Sequence, residues 1–382
     1  MPQEKLISIE ALPFSFPLSK TFQGSNYQRR MVHAIIIKVE TETGVFGEAY
    51  WEPPEGMDLD AVCTIINDYL SPLLKGDDPL RYRFLHSKME DGIFPFERIG
   101  LYDKFRKGIL KSIAISTVDI GLWDLIGKLL DTPVSKILGG FRKSIPVMEV
   151  VYGNSENDPT HEDLAKEIDD VIRRGIHAIK LKVGHFDVKT DLDRLRVARE
   201  IGGDNFAIAC DSNKNWTLEK AISFSRGARQ YSPTWLEEPV VETDEPNTLA
   251  ILKRHTDIPI AGGQFELYPN HIRDMMANRA LDIPNCDVGF IGGITGWLEV
   301  AFITRQYYGN LAHHLQFQLA IHLLSSVENG TFVEVLNSER DPLGNGLLVK
   351  APVIKDGEIK VPEEAGFGLK INHSAVKKLN TD

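Results

Sequence analysis

From residue 144 onward, short apolar runs recur, and each ends in a polar or ionisable side chain. His177-Ala-Ile-Lys-Leu-Lys-Val183 carries Lys180 and Lys182, and Phe206-Ala-Ile-Ala-Cys-Asp211 ends in Asp211. Thr234-Trp-Leu-Glu-Glu238 ends in two glutamates, and Ile258-Pro-Ile-Ala-Gly-Gly-Gln264 ends in Gln264. Three further runs end in Asp287, His314 and Glu334. From Lys182 through Asp211, Glu237, Gln264, Asp287 and His314 to Glu334, successive positions lie 29, 26, 27, 23, 27 and 20 residues apart. One strand, one helix and two short loops need about that many residues. The pattern predicts repeated βα units with their chemistry at the carboxyl ends of the strands, where (β/α) barrels place active sites. Ile145–Val151 reads as the first strand, and Thr160 heads a helix over 161–174. Helices near 189–201, 217–230, 246–255, 268–279, 293–308 and 319–326 separate the other strands. That makes seven or eight units, enough to close a barrel.

The chain before residue 144 follows a different grammar. Residues 5–17, 31–40 and 45–51 alternate like strands, with Thr41-Glu-Thr-Gly44 as a hairpin turn. Helical stretches at 58–74, 79–91 and 108–130 follow, the last apolar nearly all round and so expected to be buried. Strands followed by helices make an α+β unit. The sequence therefore divides into an α+β domain (1–135), a (β/α) barrel (136–337) and a C-terminal segment (338–382). Turn signals at Asp341-Pro342, Gly344-Asn-Gly346 and Asp356-Gly357 mark that segment, which is expected to return and complete the first domain. The fold class is α/β, a modified TIM (β/α) barrel with an N-terminal α+β domain, which the resemblance given below implies is a capping domain.

Strand alternation places Lys180 and Lys182 on one face, about 6.5–7 Å apart. If that face is the barrel interior, like charge and desolvation both push a lysine pKa down, toward a working base. Asp211, Glu237 and Gln264 end consecutive strands, and such hard oxygen donors suit Mg²⁺. Asn213 shares the parity of Asp211 and faces substrate or a metal-bound water. Alternation does not decide which of Glu237 and Glu238 points inward. Asp287 and His314 end adjacent strands, so the carboxylate can hold the imidazole tautomer. His313 has the wrong parity for that role, and His322 lies on the next helix. Glu334 stands ready to donate a proton or hydrogen bond to a substrate oxygen. Gly289-Phe-Ile-Gly-Gly-Ile-Thr-Gly296 matches no nucleotide-binding pattern but suits a helix N-terminus that approaches the site.

This constellation resembles the enolase superfamily, and within it the mandelate racemase subgroup. The resemblance runs through Ala114-Ile-Ser-Thr-Val-Asp-Ile-Gly-Leu-Trp-Asp124, Leu138-Gly-Gly140, Trp235-Leu-Glu-Glu-Pro239, Asp287 with Ile291-Gly-Gly-Ile-Thr-Gly-Trp297, and His314. It implies that Lys182 is the base on one face of the substrate α-carbon, tuned by Lys180, and that the His314–Asp287 dyad serves the other face. It implies Asp211 and Glu237 as Mg²⁺ ligands and Glu334 as the electrophilic partner of the substrate carboxylate. It also implies capping loops near Phe22–Arg30 and Tyr50–Pro54 that select substrate, with Arg29, Tyr50 and Trp51 among the contacts, and a symmetric homo-oligomer. One position departs: the subgroup's third ligand is usually a glutamate, and here it is Gln264. An amide gives up a formal charge. The glucarate dehydratase group is similar in carrying an amide there. Gln264 as a native ligand, Glu266 two residues on as its replacement, or an inactivating change at 264 are the open alternatives.

The chemistry so implied is removal of the proton α to a carboxylate. Lys20, Gln23, Asn26, Arg29, Arg30 and Glu52 suit a polyhydroxylated acid, which favours dehydration of a sugar acid to a 2-keto-3-deoxy acid. Phe22, Tyr27, Tyr50 and Trp51 point instead to an apolar substituent and a racemase or epimerase. A non-catalytic acid-binding barrel is the rival from another class, opposed by the retention of Lys182, Asp287, His314 and Glu334. A net charge of −11 argues against nucleic acid or an anionic membrane as partner. Three scattered cysteines, an N-terminus without a signal pattern and no long apolar run lead us to expect a cytoplasmic protein whose partner is a small carboxylic acid.

Overall fold

A computed structural model of the chain describes residues 4–23, 27–92, 94, 104–153, 161–241, 244–341, 347–349 and 352–379. Asn26, Thr160, the turn at Gly344–Gly346 and the side chains of Lys20 and Gln23 fall outside that description. The first three strands, β1 (Leu6–Gln23), β2 (Gln28–Thr41) and β3 (Phe46–Trp51), form an antiparallel sheet in that order. The β1–β2 ladder runs on to Gln23 opposite Gln28, so much of the expected Phe22–Arg30 loop is paired strand, with Phe22 opposite Arg29. A helical stretch follows as α1 (Leu59–Ile65), a π turn and α2 (Ser71–Leu74). Next come α3 (Tyr82–Glu90), α4 (Lys104–Leu129) and the short α5 (Val134–Ile137).

The barrel's strands and helices are β4 (Ser144–Val151), α6 (Glu162–Arg173), β5 (Ala178–Lys182), α7 (Val188–Gly202), β6 (Ala207–Asp211) and α8 (Leu218–Ala228). They continue as β7 (Trp235–Glu237), α9 (Glu245–Lys253), β8 (Ile260–Gly262), α10 (Pro269–Ala277), β9 (Ile283–Pro284), α11 (Gly293–Gln306), α12 (Phe317–Ser326) and β10 (Val333–Val335). The barrel alternates strand and helix from β4 to α11, after which α12 follows without a strand of its own. Strands β4 to β9 pair in parallel in chain order, and β10 pairs with β4. No continuous ladder joins β9 to β10. The segment before His314 bridges them: Ala312 N–H donates to Pro284 O at 2.9 Å, and Thr331 N–H to Leu311 O at 2.9 Å. Inward-facing Met148, Ala178, Ala209, Trp235, Ala261, Ile283 and Ala312 pack together as the barrel floor.

The C-terminal segment does two things. Leu347, Leu348, Ile371 and Val376 pack on Phe14, Val32, Ala34, Ile36 and Tyr50 of the capping sheet, with Val376 carried by α13 (His373–Leu379). The hairpin β11 (Ile354–Lys355) and β12 (Glu358–Lys360) instead pairs antiparallel with β4 and extends the barrel sheet.

Helix α4 ties the halves together. On one side Gly47 lets β3 approach so closely that a Cβ there would meet Gly121 O and Leu125 N at 2.4 Å. On the other, Ser116 Oγ accepts from Gly292 N–H at 3.0 Å, and Asp119 accepts from Thr295 N–H and Oγ1–H at 2.9 and 2.6 Å. The N-terminus of α11 is therefore met by a capping-domain carboxylate. Asp119 supplies the negative charge that this helix end attracts.

His322 on α12 holds α5 and the tail. Its Nδ1 accepts from Ser135 N–H at 3.2 Å and its Nε2–H donates to Phe367 O at 3.0 Å. Both nitrogens are used by the neutral ring, and burial pushes its pKa down to about 4. A histidine depressed on folding stabilises the fold above its unfolded pKa of ~6.5, and that contribution is lost as pH falls toward 4, a swing of about 3 kcal/mol. The wild-type protein should therefore lose about that much more unfolding free energy between pH 7 and pH 4 than His322→Gln. Equal losses in urea titrations at the two pH values would refute this.

Candidate active site

The barrel's carboxyl end opens into a cavity of about 590 Å³ lined by both halves of the chain. Tyr27, Arg29, Met31, His33 and Glu52 come from the cap, and Lys180, Lys182, Asn213, Gln264, Asp287 and His314 from the barrel. Six of the sequence-predicted site residues thus meet at one cavity with Arg29. Beneath them lie Asp211, Glu237 and Glu334, all buried.

Strand register explains the cluster. Lys182 pairs with Asp211, and Asp211 with Glu237, across β5, β6 and β7. Lys180 Nζ donates to Glu237 Oε1 at 2.7 Å and Glu334 Oε1 at 2.6 Å, and lies 3.6 Å from Asp211 Oδ2. Lys182 Nζ donates to Asp211 Oδ2 at 2.5 Å. Burial by itself would depress Lys180, but Glu237, Glu334 and Asp211 outweigh it and hold the ammonium well above its ordinary pKa. The expectation that two neighbouring lysines depress each other is corrected for Lys180, because alternation along one strand does not show what the facing strands bring. Burial likewise pushes the Glu237 carboxyl up to about 8 despite Lys180. Burial would raise Asp211 and Glu334 too, yet both stay below the usual carboxylate range. Lys182 and Lys180 hold Asp211 down, and Lys180 and His314 hold Glu334 down. Glu334, midway along β10 rather than at its end, accepts from Lys180 and from Leu315 N–H at 3.0 Å. In this arrangement it is a carboxylate acceptor, not a proton donor.

The two glutamates separate by direction. Glu237 faces the barrel interior, where Trp235 Nε1 also donates to it at 3.0 Å. Glu238, at a positive φ of 41°, turns aside to accept from the backbone N–H of Gly263 and Gln264 at 2.8 and 3.0 Å. Those bonds place Gln264, whose buried Oε1 has no hydrogen-bond partner. Glu266 pairs with His271 at 2.8 Å, away from the cavity lining, and is no substitute for Gln264. Among the described residues no group of three or more His, Cys, Asp or Glu is arranged to hold a metal ion. Two buried carboxylates from adjacent strands and one unpartnered amide oxygen nevertheless fit a hard cation.

Asp287 Oδ2 accepts from His314 Nδ1 at 3.1 Å, which leaves Nε2 of the ring for the cavity. Its Oδ1 accepts from Gly289 N–H at 2.8 Å and from Trp51 Nε1 at 3.0 Å. Trp51 is thus not a cavity wall but a support for the dyad, with Phe290 edge-on at 5.4 Å. Tyr50 points the opposite way, into the capping-sheet core, as alternate residues of a strand must. Neither contacts the cavity, and both expected substrate contacts are corrected. Arg29 does line it, paired with Glu52 at 3.1 Å. His313 is a neutral structural ring between Val288 N–H (3.3 Å) and Leu315 O (3.2 Å), and burial lowers its pKa.

These features find their counterpart in known proteins. Residues 163–375 match the family described as "Enolase C-terminal domain-like", and residues 10–139 match "Mandelate racemase / muconate lactonizing enzyme, N-terminal domain". The chain belongs to the mandelate racemase/muconate lactonizing enzyme family of the enolase superfamily. It is 33% identical over 271 residues to a 3,6-anhydro-alpha-L-galactonate cycloisomerase of Streptomyces coelicolor, covering 70% of this chain and 72% of the relative. It is 28% identical to an arabinonate dehydratase of Saccharolobus solfataricus, covering 88% of each. The crystal structure of a racemase from Streptomyces coelicolor with bound magnesium superposes with a TM-score of 0.87 at 27% identity, covering 98% of this chain and 99% of that one. The chain is therefore an enzyme of a superfamily in which dehydratases, racemases and cycloisomerases share one scaffold. Among the described residues no helix is long and apolar enough to cross a membrane.

Several residues of this family site escaped the sequence reading. Tyr152, at the mouth beside β4, meets Tyr27 hydroxyl to hydroxyl at 3.1 Å. Phe265 stands edge-on to Phe290 at 5.3 Å on the wall. Arg194 of α7 is buried with Asp191 at 2.9 Å and donates to the backbone carbonyls of Lys182, at 2.8 Å, and of Tyr152. Asp191 in turn accepts from Gly184 N–H at 2.6 Å. An arginine on an amphipathic helix reads as a solvated charge, so periodicity carried no signal for it.

Proposed function

We propose that this enzyme removes the proton α to the carboxylate of a small acid, and that it dehydrates a sugar acid, an aldonate or aldarate, to a 2-keto-3-deoxy acid. One observation carries the reading: Lys182 at the end of β5 and the His314–Asp287 dyad from the segments beyond β9 and α11 reach the same cavity. Lys182 takes the α-proton on one face. His314, with Asp287 holding its Nδ1–H, delivers a proton from Nε2 to the departing β-hydroxyl. Lys180 is kept charged by Glu237 and Glu334 and supplies positive potential under the substrate carboxylate. Asp211, Glu237 and Gln264 would hold Mg²⁺, which when bound offsets the negative charge that grows on that carboxylate. Asn213, whose N–H donates to Asp211 Oδ1 at 2.8 Å, and Arg29 face the substrate's hydroxyl groups. The arabinonate dehydratase relative supports this reading. Free, buried Cys63, Cys210 and Cys286 support a reducing, cytoplasmic setting, and we infer a symmetric homo-oligomer from the family resemblance.

Met31, Phe265, Phe290 and Leu336 on the cavity wall favour a second reading, a racemase or epimerase of a 2-hydroxy acid. Screening the Mg²⁺-supplemented protein against mono- and diacid sugars, with detection of 2-keto-3-deoxy product, separates the two. Product with any acid establishes dehydration. Exchange at Cα in D₂O without product establishes racemisation, and neither with any acid refutes both. Gln264→Glu, which restores a formal charge, should bind Mg²⁺ more tightly than the wild type.

Trp51→Phe tests the support of the dyad. It keeps the packing on Phe290 but removes one of the two donors to Asp287 Oδ1. A hydrogen bond to a charged group is worth about 1.5–3 kcal/mol, so kcat should fall about tenfold or more with KM little changed. An unchanged kcat would show that Gly289 suffices to orient Asp287.

A further inference from the structure

Asn285 is fully buried, and neither its Oδ1 nor its Nδ2 has a hydrogen-bond partner. Its direction follows from its neighbours. Ile283, two residues before, packs with the barrel-floor side chains, and Asp287, two residues after, lines the cavity. By the same alternation Asn285 points into the barrel between the floor and the catalytic layer. Its backbone N–H donates to Gly262 O at 2.8 Å, which sets it beside the end of β8, two residues before Gln264. Among the described residues the other buried amide oxygens without a partner are those of Gln264 and Gln318; Gln318 lies on α12, and Gln264 is the one just beyond β8.

Buried amides are met by protein, ordered water or an ion, because leaving them unmet opposes folding. An apolar residue would fill position 285 as readily as isoleucine fills 283. A side chain with one acceptor and two donors is instead suited to hold a water between itself and a second polar group. We infer that Asn285 is a positioning residue of the cation site, holding Gln264 through a buried water so that the Gln264 oxygen faces the cation. The inference rests on the Mg²⁺ reading above. It explains how an amide can serve in a position where a lost charge would otherwise weaken binding.

The test is calorimetric titration of Mg²⁺ into the metal-free full-length protein, with thermal unfolding of each metal-free form. Asn285→Leu removes only polar atoms that have no protein partner, so its Tm should equal or exceed the wild-type value. Its Mg²⁺ affinity should fall 10- to 100-fold, the usual effect of losing an outer-shell partner. An affinity within twofold of wild type at an unchanged Tm overturns the inference. Should Asn285→Leu unfold, Asn285→Asp carries the test: the added charge should tighten Mg²⁺ binding, and an unchanged affinity overturns the inference. Absence of Mg²⁺ binding in both wild type and Gln264→Glu would overturn the metal reading itself. Binding by Gln264→Glu that Asn285→Leu leaves undiminished in that background would overturn only the part assigned to Asn285.

Discussion

Lys182→Ala, loaded with Mg²⁺, is expected to lose at least about 10²–10⁴-fold in kcat, the range supplied by a positioned general base. The loss should lie in kcat, because Lys182 acts on the proton in flight rather than on the resting substrate. The fold should persist. Lys182 is held by Asp211 at 2.5 Å, and its removal leaves that carboxylate with Lys180 at 3.6 Å and with the Asn213 N–H. Asp211 is therefore not stranded as an uncompensated buried charge, the circumstance that makes broken buried pairs costly. The decisive readout is exchange of the substrate α-proton in D₂O. Lys182→Ala should abolish exchange for the epimer that presents its proton to β5 and leave the other epimer exchanging through His314. Wild-type turnover, or loss of exchange for both epimers at unchanged Mg²⁺ affinity, would refute the assignment.

His314→Asn should produce the complementary pattern. Asparagine can still donate to Asp287 from its amide, so the dyad's geometry survives while its capacity to move a proton does not. His314 is 16% exposed at the cavity wall, and little packing is lost. Dehydration should fall by about 10²–10⁴-fold, since a β-hydroxyl leaves poorly without a proton. Exchange through Lys182 should continue, so α-proton loss and product formation come apart in this variant. If both persist at wild-type rates, His314 is a wall residue, and the acid must be sought among the other cavity groups, Glu52 first. Burial and nearby Asp341 push its carboxyl up to about 8 against the pull of Arg29.

Asp211, Lys180 and Lys182 were legible because a strand's side chains alternate and one face of every barrel strand is interior. The choice between Glu237 and Glu238 was not, because Glu238 leaves the strand at a positive φ, and only its bonds to Gly263 and Gln264 show where it goes. Tyr50 and Trp51 were both read as substrate contacts, although adjacent strand positions must diverge. Tyr50 entered the core, and Trp51 met Asp287 from 236 residues away. Gly289 permits that approach, since a Cβ there would come within 1.8 Å of the Trp51 ring. Lys180 shows the same limit in charge. Its pKa is set by carboxylates on β6, β7 and β10, none of them near it in sequence.

The sequence by itself determined the βα period, the common face of Lys180 and Lys182 and the buried character of α4, because these depend on neighbours one to four positions away. Tertiary structure alone decided what those residues do to one another. It joined the Ser116–Asp119 stretch of α4 to the glycine turn before α11, and it set Trp51 under Asp287. It also surrounded Lys180 with carboxylates and buried the Asn285 amide and the Gln264 Oε1 without a hydrogen-bond partner. Contacts of that kind arise where strands distant in sequence converge, and the strength of an ionic or hydrogen-bonded contact depends on the burial that convergence creates.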